Sequence, residues 1–216
     1  MSKHIINDIL SNKLNNMKIN KTQISKKISD GELARKKWAK SLNYNDAELD
    51  IDTFNKKCGG LFVNAGRIIL DDTKRQSTIQ VIPKNKKNWN EKVEKIYIIV
   101  RNSKIIKIGG SRNGMKQRFT SYLCGHHVTE RGKSGKMSVT NAHIYHTIEK
   151  DLIETESIWE FYVWKLPIIQ HTINILGYDT TIISQTYHAY ESCCIKKYKS
   201  LTKKLPLLCD NCDPTY

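Results

Sequence analysis

The sequence predicts an α+β fold, on three observations. From Lys95 onward the chain reads strand, strand, helix, strand, helix. Its first two strands flank a turn of four residues and so form a β-hairpin. A helical segment and two strand-like runs precede them as an N-terminal helical and β-hairpin extension. With 216 residues, 39% of them hydrophobic and 26% charged, the chain can bury a core and reads as globular.

Taken in order, the extension occupies residues 1 to 93. ISDGELARKKWAKSL sets Leu33, Trp38 and Leu42 at roughly helical spacing, with Asp30 as the expected N-cap. GLFVNAGRIILDD and STIQVIP read as two strands, and the polar stretch PKNKKNWNEK at 83 to 92 closes the region. The second region, 94 to 216, opens with KIYIIVR and IIKIG, two β-branched runs joined by RNSK. NGMKQRFTSYL spaces Met115, Phe119 and Tyr122 as a helix, and CGHHVTERGKSGK is a basic, Gly-rich loop. WEFYVW is a strand with Trp159, Phe161 and Val163 on one face. TIISQTYHAYESCCIKKYKSL is expected to be a helix of about five turns, with a short tail after it.

Lys and Arg number 36 against 21 Asp and Glu, giving a formal net charge of +15. Such an excess attracts polyanions, nucleic acid first among them, although a solvated basic surface is the plainer alternative. No run approaches the roughly 18 apolar residues of a membrane helix. The start, MSKHIINDIL, lacks the apolar core of a secretory signal. A soluble, cytoplasmic protein with no membrane partner is therefore expected. The cysteines (Cys58, Cys124, Cys193, Cys194, Cys209 and Cys212) are too irregular for a disulfide framework and are expected as thiols. Cys209 and Cys212 form one CxxC pair. Cys124, His126, His127 or Cys194 would have to complete it at no recognisable spacing, so no structural zinc is expected.

Cleaving a phosphodiester takes an activated water, neutralisation of the charge on phosphorus and a stabilised leaving oxygen, with the parts held in line. Tyr97 and Lys107 sit on neighbouring strands, about 5 Å apart, and can face one cleft. Arg118 and Tyr122, four apart on one helix face, can grip one phosphate. Glu191 stands mid-helix among lysines, and one carboxylate is the least a protein needs to hold Mg²⁺ beside substrate phosphates.

KIYIIV, then KIIKIGGS, then QRFTSY, and later YESCCIKKYK together resemble the GIY-YIG nuclease superfamily. The resemblance covers residues 94 to 216, with Lys95 where Gly is usual and Lys107 in place of the second motif tyrosine. It implies a small three-stranded antiparallel sheet flanked by helices, and a metal-dependent DNA endonuclease using Mg²⁺, with Mn²⁺ as a substitute. By the same resemblance Tyr97 is the general base or proton shuttle, and Lys107 holds the nucleophile or offsets phosphate charge. Arg118 clamps the scissile phosphate, and Tyr122 stands where restriction members place a tyrosine or histidine. Glu191 is the metal ligand, followed by the Ile195, Lys196, Tyr198 run of the family. Asn211 is the nearby candidate for the family's later asparagine. The KIG spelling, Tyr122 and the C-terminal place of the core most resemble Type II restriction endonucleases. That implies double-stranded DNA as partner, both strands cut at a short site by a homodimer, and specificity from residues 1 to 93 and the 124 to 137 loop.

Plainer readings stand beside these. Tyr97 could be a strand aromatic, Lys107 a solvent-facing lysine, Arg118 a surface cation and Tyr122 core. Glu191 could form a surface ion pair with Lys196, worth about 0.5 kcal/mol. His126 and His127 could reach DNA or belong to a mobile polar loop, and Trp159, Phe161 and Trp164 read as core. The whole could also be a less specific GIY-YIG nuclease of a virus or mobile element, or a DNA-binding protein of this fold without catalysis.

Overall fold

The computed structural model describes residues 22–73, 77–125 and 139–209. Its helices are α1 (residues 22–30), α2 (Glu32–Trp38), α3 (Ile51–Lys57), α4 (Lys86–Asn90), α5 (Met115–Leu123), α6 (Val139–Glu154) and α7 (Tyr187–Thr202). Its strands are β1 (Val63–Leu70), β2 (Ile79–Pro83), β3 (Lys95–Arg101), β4 (Lys104–Ser111), β5 (Trp159–Lys165), β6 (Gln170–Ile175) and β7 (Tyr178–Ile183). His126, His127, Asn211, Cys212 and the loop from 126 to 137 lie outside the described residues.

The chain divides into two compact units. The larger comprises Ser41–Ile68, Val81–Ser121 and Ser157–Tyr216. The main sheet is antiparallel and runs β2-β1-β5-β3-β4. It therefore has five strands where three were expected, because β1 pairs with β5 (Ile68 opposite Trp159, Val63 opposite Val163) and extends the sheet made by β3, β4 and β5. The hairpin of β3 and β4 turns at Asn102 and Ser103, both left-handed (φ 47° and 65°), a combination that matches the twist of the strands it joins.

Strand β3 is buried along both faces, which accounts for its unbroken apolar run. Ile96, Ile98 and Val100, with Ile105 and Ile108 of β4, meet Ile51 and Phe54 of α3 and Cys194, Ile195 and Tyr198 of α7. The other side of the sheet carries an aromatic stack, in which Phe119 of α5 lies 4.8 Å from Phe161 and 5.5 Å from Trp89. Helix α7 is shorter than expected. The β-branched Thr181-Ile182-Ile183 run that begins the expected helix is the end of β7, after a turn at Leu176 and Gly177 (φ 55° and 90°). Asp30 is not a cap: it ends α1, and the N-cap of α2 is Gly31, with no side-chain capping bond.

The smaller unit comprises Met1–Lys40, Ile69–Gln80 and Tyr122–Glu156. Its α6 buries His146, Thr147, Glu149 and Asp151 beside Ile144, Tyr145 and Ile148. The Arg35 guanidinium lies 3.5 Å from Glu149 and also donates to the carbonyl of Ile28, and His146 Nδ1 is 2.9 Å from the same carboxylate. Tyr145 accepts the Thr78 N–H at 2.9 Å, and burial, with Glu149 beside it, pushes its phenol up to about 12. Among the described residues no helix is long and apolar enough to cross a membrane.

Arg35 and Glu149 are both nearly inaccessible, so removing one partner strands a buried charge. Arg35→Ala is expected to lower unfolding stability in urea by about 3–5 kcal/mol. A loss under about 1 kcal/mol would show that this ion pair does not hold α2 to α6.

Candidate active site

Side chains of consecutive strand residues point to opposite faces, and two consecutive glycines, Gly109 and Gly110, stand near the end of β4. Gly109 pairs with Tyr97 and Gly110 with Ile96. A methyl group on Gly109 would collide with the Tyr97 phenol. One on Gly110 would lie 2.5 Å from the Tyr187 ring and 2.8 Å from Glu191 Oε2. The glycine pair therefore admits a phenol from β3 on one side and a carboxylate from α7 on the other.

Tyr97 is fully buried, its ring edge-on to Phe119 at 6.0 Å. Arg118, one position before Phe119 on α5, donates Nε–H to the Tyr97 hydroxyl oxygen at 3.0 Å. The helix begins just after Gly114, where φ is +81° and a side chain would strike the Glu91 carbonyl. That close approach of the chain fixes where α5 starts and so where Arg118 stands.

Lys107 is buried, with 8% of its surface exposed, and its Nζ donates to the Leu208 carbonyl at 3.0 Å. Beyond α7 the chain returns along β4, where the Leu208 N–H donates to Ile106 O at 2.9 Å. Glu191 is half-buried on α7, one turn before Cys194 and Ile195, which anchor that helix in the core. Burial pushes its carboxyl above the usual carboxylate range. The nearby Lys107 and Arg118 cations, the Gly110 N–H and His188 pull the other way.

The structure thus brings Tyr97 and Arg118 into a hydrogen bond, and places Lys107 and Arg118 where their charge acts on Glu191. Tyr122, one turn beyond Arg118, belongs to the smaller unit and is buried, with 3% of its surface exposed. Tyr187, Gly109 and Gly110 shape the site without having been singled out from sequence. A glycine pair inside a strand is the signal that finds them, since it marks close approach of other groups. Among the described residues no group of three or more His, Cys, Asp or Glu is placed to hold a metal, so any cation here would rest on the single carboxylate of Glu191.

No family model matches the chain, and no curated protein matches it. The fold is similar to the solved structure of restriction endonuclease HPY188I in complex with product DNA. The two share 22% sequence identity and a TM-score of 0.50, over 78% of this chain and 91% of that one. A structure of a mutant of bacteriophage T4 EndoII gives 20% identity and a TM-score of 0.48, over 70% of this chain and 96% of that one.

Because burial raises the Glu191 pKa, the folded chain holds that proton more tightly than the unfolded chain does. Ionising Glu191 therefore costs stability, starting as pH rises past the unfolded value and reaching its full extent above the folded one. Glu191→Gln is expected to raise the thermal midpoint at neutral pH, with the gain vanishing below the ordinary carboxylate range. A midpoint that drops at neutral pH would show that the cations around Glu191 outweigh its burial.

Proposed function

We propose that this chain is a metal-dependent DNA endonuclease of the GIY-YIG type, most like the Type II restriction enzymes that cut both strands of a short duplex site. The observation that carries the reading is the Arg118 to Tyr97 hydrogen bond standing with Lys107 and Glu191 around one glycine pair. The similarity in fold to a restriction endonuclease solved with product DNA supports it, as does the +15 charge.

In this reading each side chain has one task. Arg118 presents a planar guanidinium to the scissile phosphate while its Nε–H stays on Tyr97, stabilising negative charge that develops on the phenol oxygen. Tyr97 takes a proton from the attacking water as its own hydroxyl proton passes to a second water, so the phenol ends neutral. Lys107, held by the Leu208 carbonyl, offsets charge on the phosphate.

The donor set fits Mg²⁺, or Mn²⁺ in its place. A carboxylate oxygen is the hard ligand these cations take, and one or two carboxylates with substrate phosphates and waters complete their shell. Glu191 would hold the ion, which when bound supplies charge neutralisation at the phosphate and the leaving oxygen. A homodimer would supply the second active site that cutting two strands requires.

Plasmid DNA incubated with the protein and Mg²⁺ is expected to give discrete fragments, and none when the metal is chelated. Glu191→Ala and Tyr97→Phe are each expected to slow cleavage by at least about 100-fold, the scale of losing a group that acts in the transition state. Cleavage that survives Glu191→Ala removes the metal assignment, and undiminished cleavage by Tyr97→Phe removes the base. A smear in place of bands favours a nuclease without a site. No cleavage by the wild type leaves a DNA-binding protein of this fold.

A further inference from the structure

Strands β6 and β7 pair only with each other, outside the five-stranded sheet, and every residue of both is exposed. The register sets Ile173 opposite Thr180, Ile175 opposite Tyr178 and His171 opposite Ile182. Alternation then collects Ile173, Ile175, Tyr178 and Ile182 on one face, at 42%, 43%, 76% and 41% exposure. The turn presents Leu176 at 94% exposure, and the opposite face carries Gln170, Thr172, Asn174, Asp179 and Thr181, with Ile183 at its end. A lone two-stranded ribbon is marginal in water, and an apolar face on one marks a contact surface.

The charge pattern says what covers it. From 166 to 195 there is no Lys or Arg, although 36 in 216 residues would put about five in a stretch of that length. Asp179 is the ribbon's only acid. The cations that supply most of the affinity for a DNA backbone are missing here, so this surface is poorly suited to DNA. Two copies of a +15 chain repel each other, and they approach most favourably where the cations are missing. With Leu176 at the turn, five large apolar side chains lie bare on or beside this face. At on the order of 100 Å² each, two copies offer roughly 1,000 Å², the least that a specific interface needs.

We propose that the β6–β7 ribbon is the self-association arm of this chain, and that in a two-fold pair the Ile173, Ile175, Tyr178 and Ile182 face of each copy packs on the other. The ribbon runs through Ser184, Gln185 and Thr186 into α7, which carries Glu191, so pairing of the arms sets the spacing of two candidate sites. Only that last consequence rests on the nuclease reading; the arm itself is measured without DNA.

The test is the mass of the full chain in solution by light scattering and sedimentation equilibrium at micromolar concentration. The wild type is expected at twice 25.0 kDa. Ile173→Lys combined with Ile175→Lys is expected at the single-chain mass with an unchanged circular dichroism spectrum. Tyr178→Glu gives the same comparison should the double variant lose its structure. A monomeric wild type overturns the proposal, leaving residues 1 to 21 or another protein as the cover. Variants that stay paired overturn it as well, and a paired variant with weakened DNA binding would make the arm a DNA contact. Failure of DNA cleavage would leave these masses as they are, so the two readings fail separately.

Discussion

The close approach permitted by Gly109 and Gly110 decides where every other group of the candidate site can stand. β4 is an edge strand, and an ordinary pair of side chains at these positions would push the Tyr97 phenol away on one face and the Glu191 carboxylate and Tyr187 ring away on the other. Without the pair, α7 could not lie against β4 at this level, although Cys194, Ile195 and Tyr198 would still seek the core one turn further on. The packing of the helix and the placing of its acid are thus one constraint. The edge is also protected: the returning chain gives the Leu208 N–H to Ile106, and the Ile108 N–H reaches Cys209 Sγ at 3.4 Å. That same return supplies the carbonyl that holds Lys107, so covering the edge and fixing the cation are a single act of folding.

Electrostatically the site is a carboxylate kept in an unfavourable place. Burial is the larger effect on Glu191, and two cations, a backbone N–H and His188 offset only part of it. A group arranged for stability alone would be solvated or paired, as Glu91 is with Lys165 and Lys95. Glu91 is held below the usual carboxylate range, first by its hydrogen bond to Lys165, whereas Glu191 is held above it. The contrast between two glutamates of one compact unit separates an ion-paired carboxylate from one whose burial is only partly offset.

Much of this was legible in the sequence for definite reasons. The runs KIYIIVR and IIKIG and the turn between them carry strong local signals, and helix α5 follows from Met115, Phe119 and Tyr122 at helical spacing. The hydrogen bond of Arg118 to Tyr97 joins residues 21 apart whose strand and helix were each legible, while the contact between them is set by tertiary packing. What escaped were features that break the periodicity rules. Helix α6 buries His146, Thr147, Glu149 and Asp151, where His146 Nδ1 meets Glu149 and Thr147 takes the Lys40 N–H, in place of presenting an apolar stripe, so its sequence has no clean 3.6-residue period. The joining of β1 to β5 is a pairing about 96 residues apart in sequence, set by tertiary packing that local patterns do not encode. The β6–β7 ribbon was absorbed into the following helix because its Thr-Ile-Ile end is short and apolar, and such a run is ambiguous between strand and helix.

The uneven distribution of charge ties these pieces together. Cations crowd the chain up to Lys165 and again from Lys196, while the ribbon and the first turns of α7 between them carry none. Glu191 lies inside that interval, so apart from His188, three residues before it on α7, the charges that act on it come from other elements: Lys107 from β4 and Arg118 from α5. Had α7 carried lysines in its first turns, they would have paired with Glu191 locally at i±3 or i±4 and tied up the acid on its own helix. Their absence leaves the carboxylate to cations that the tertiary fold delivers, and frees the adjoining ribbon from the self-repulsion that the rest of a +15 surface imposes. One interval free of Lys and Arg thus bears on both the acid of the candidate site and the ribbon proposed to pair.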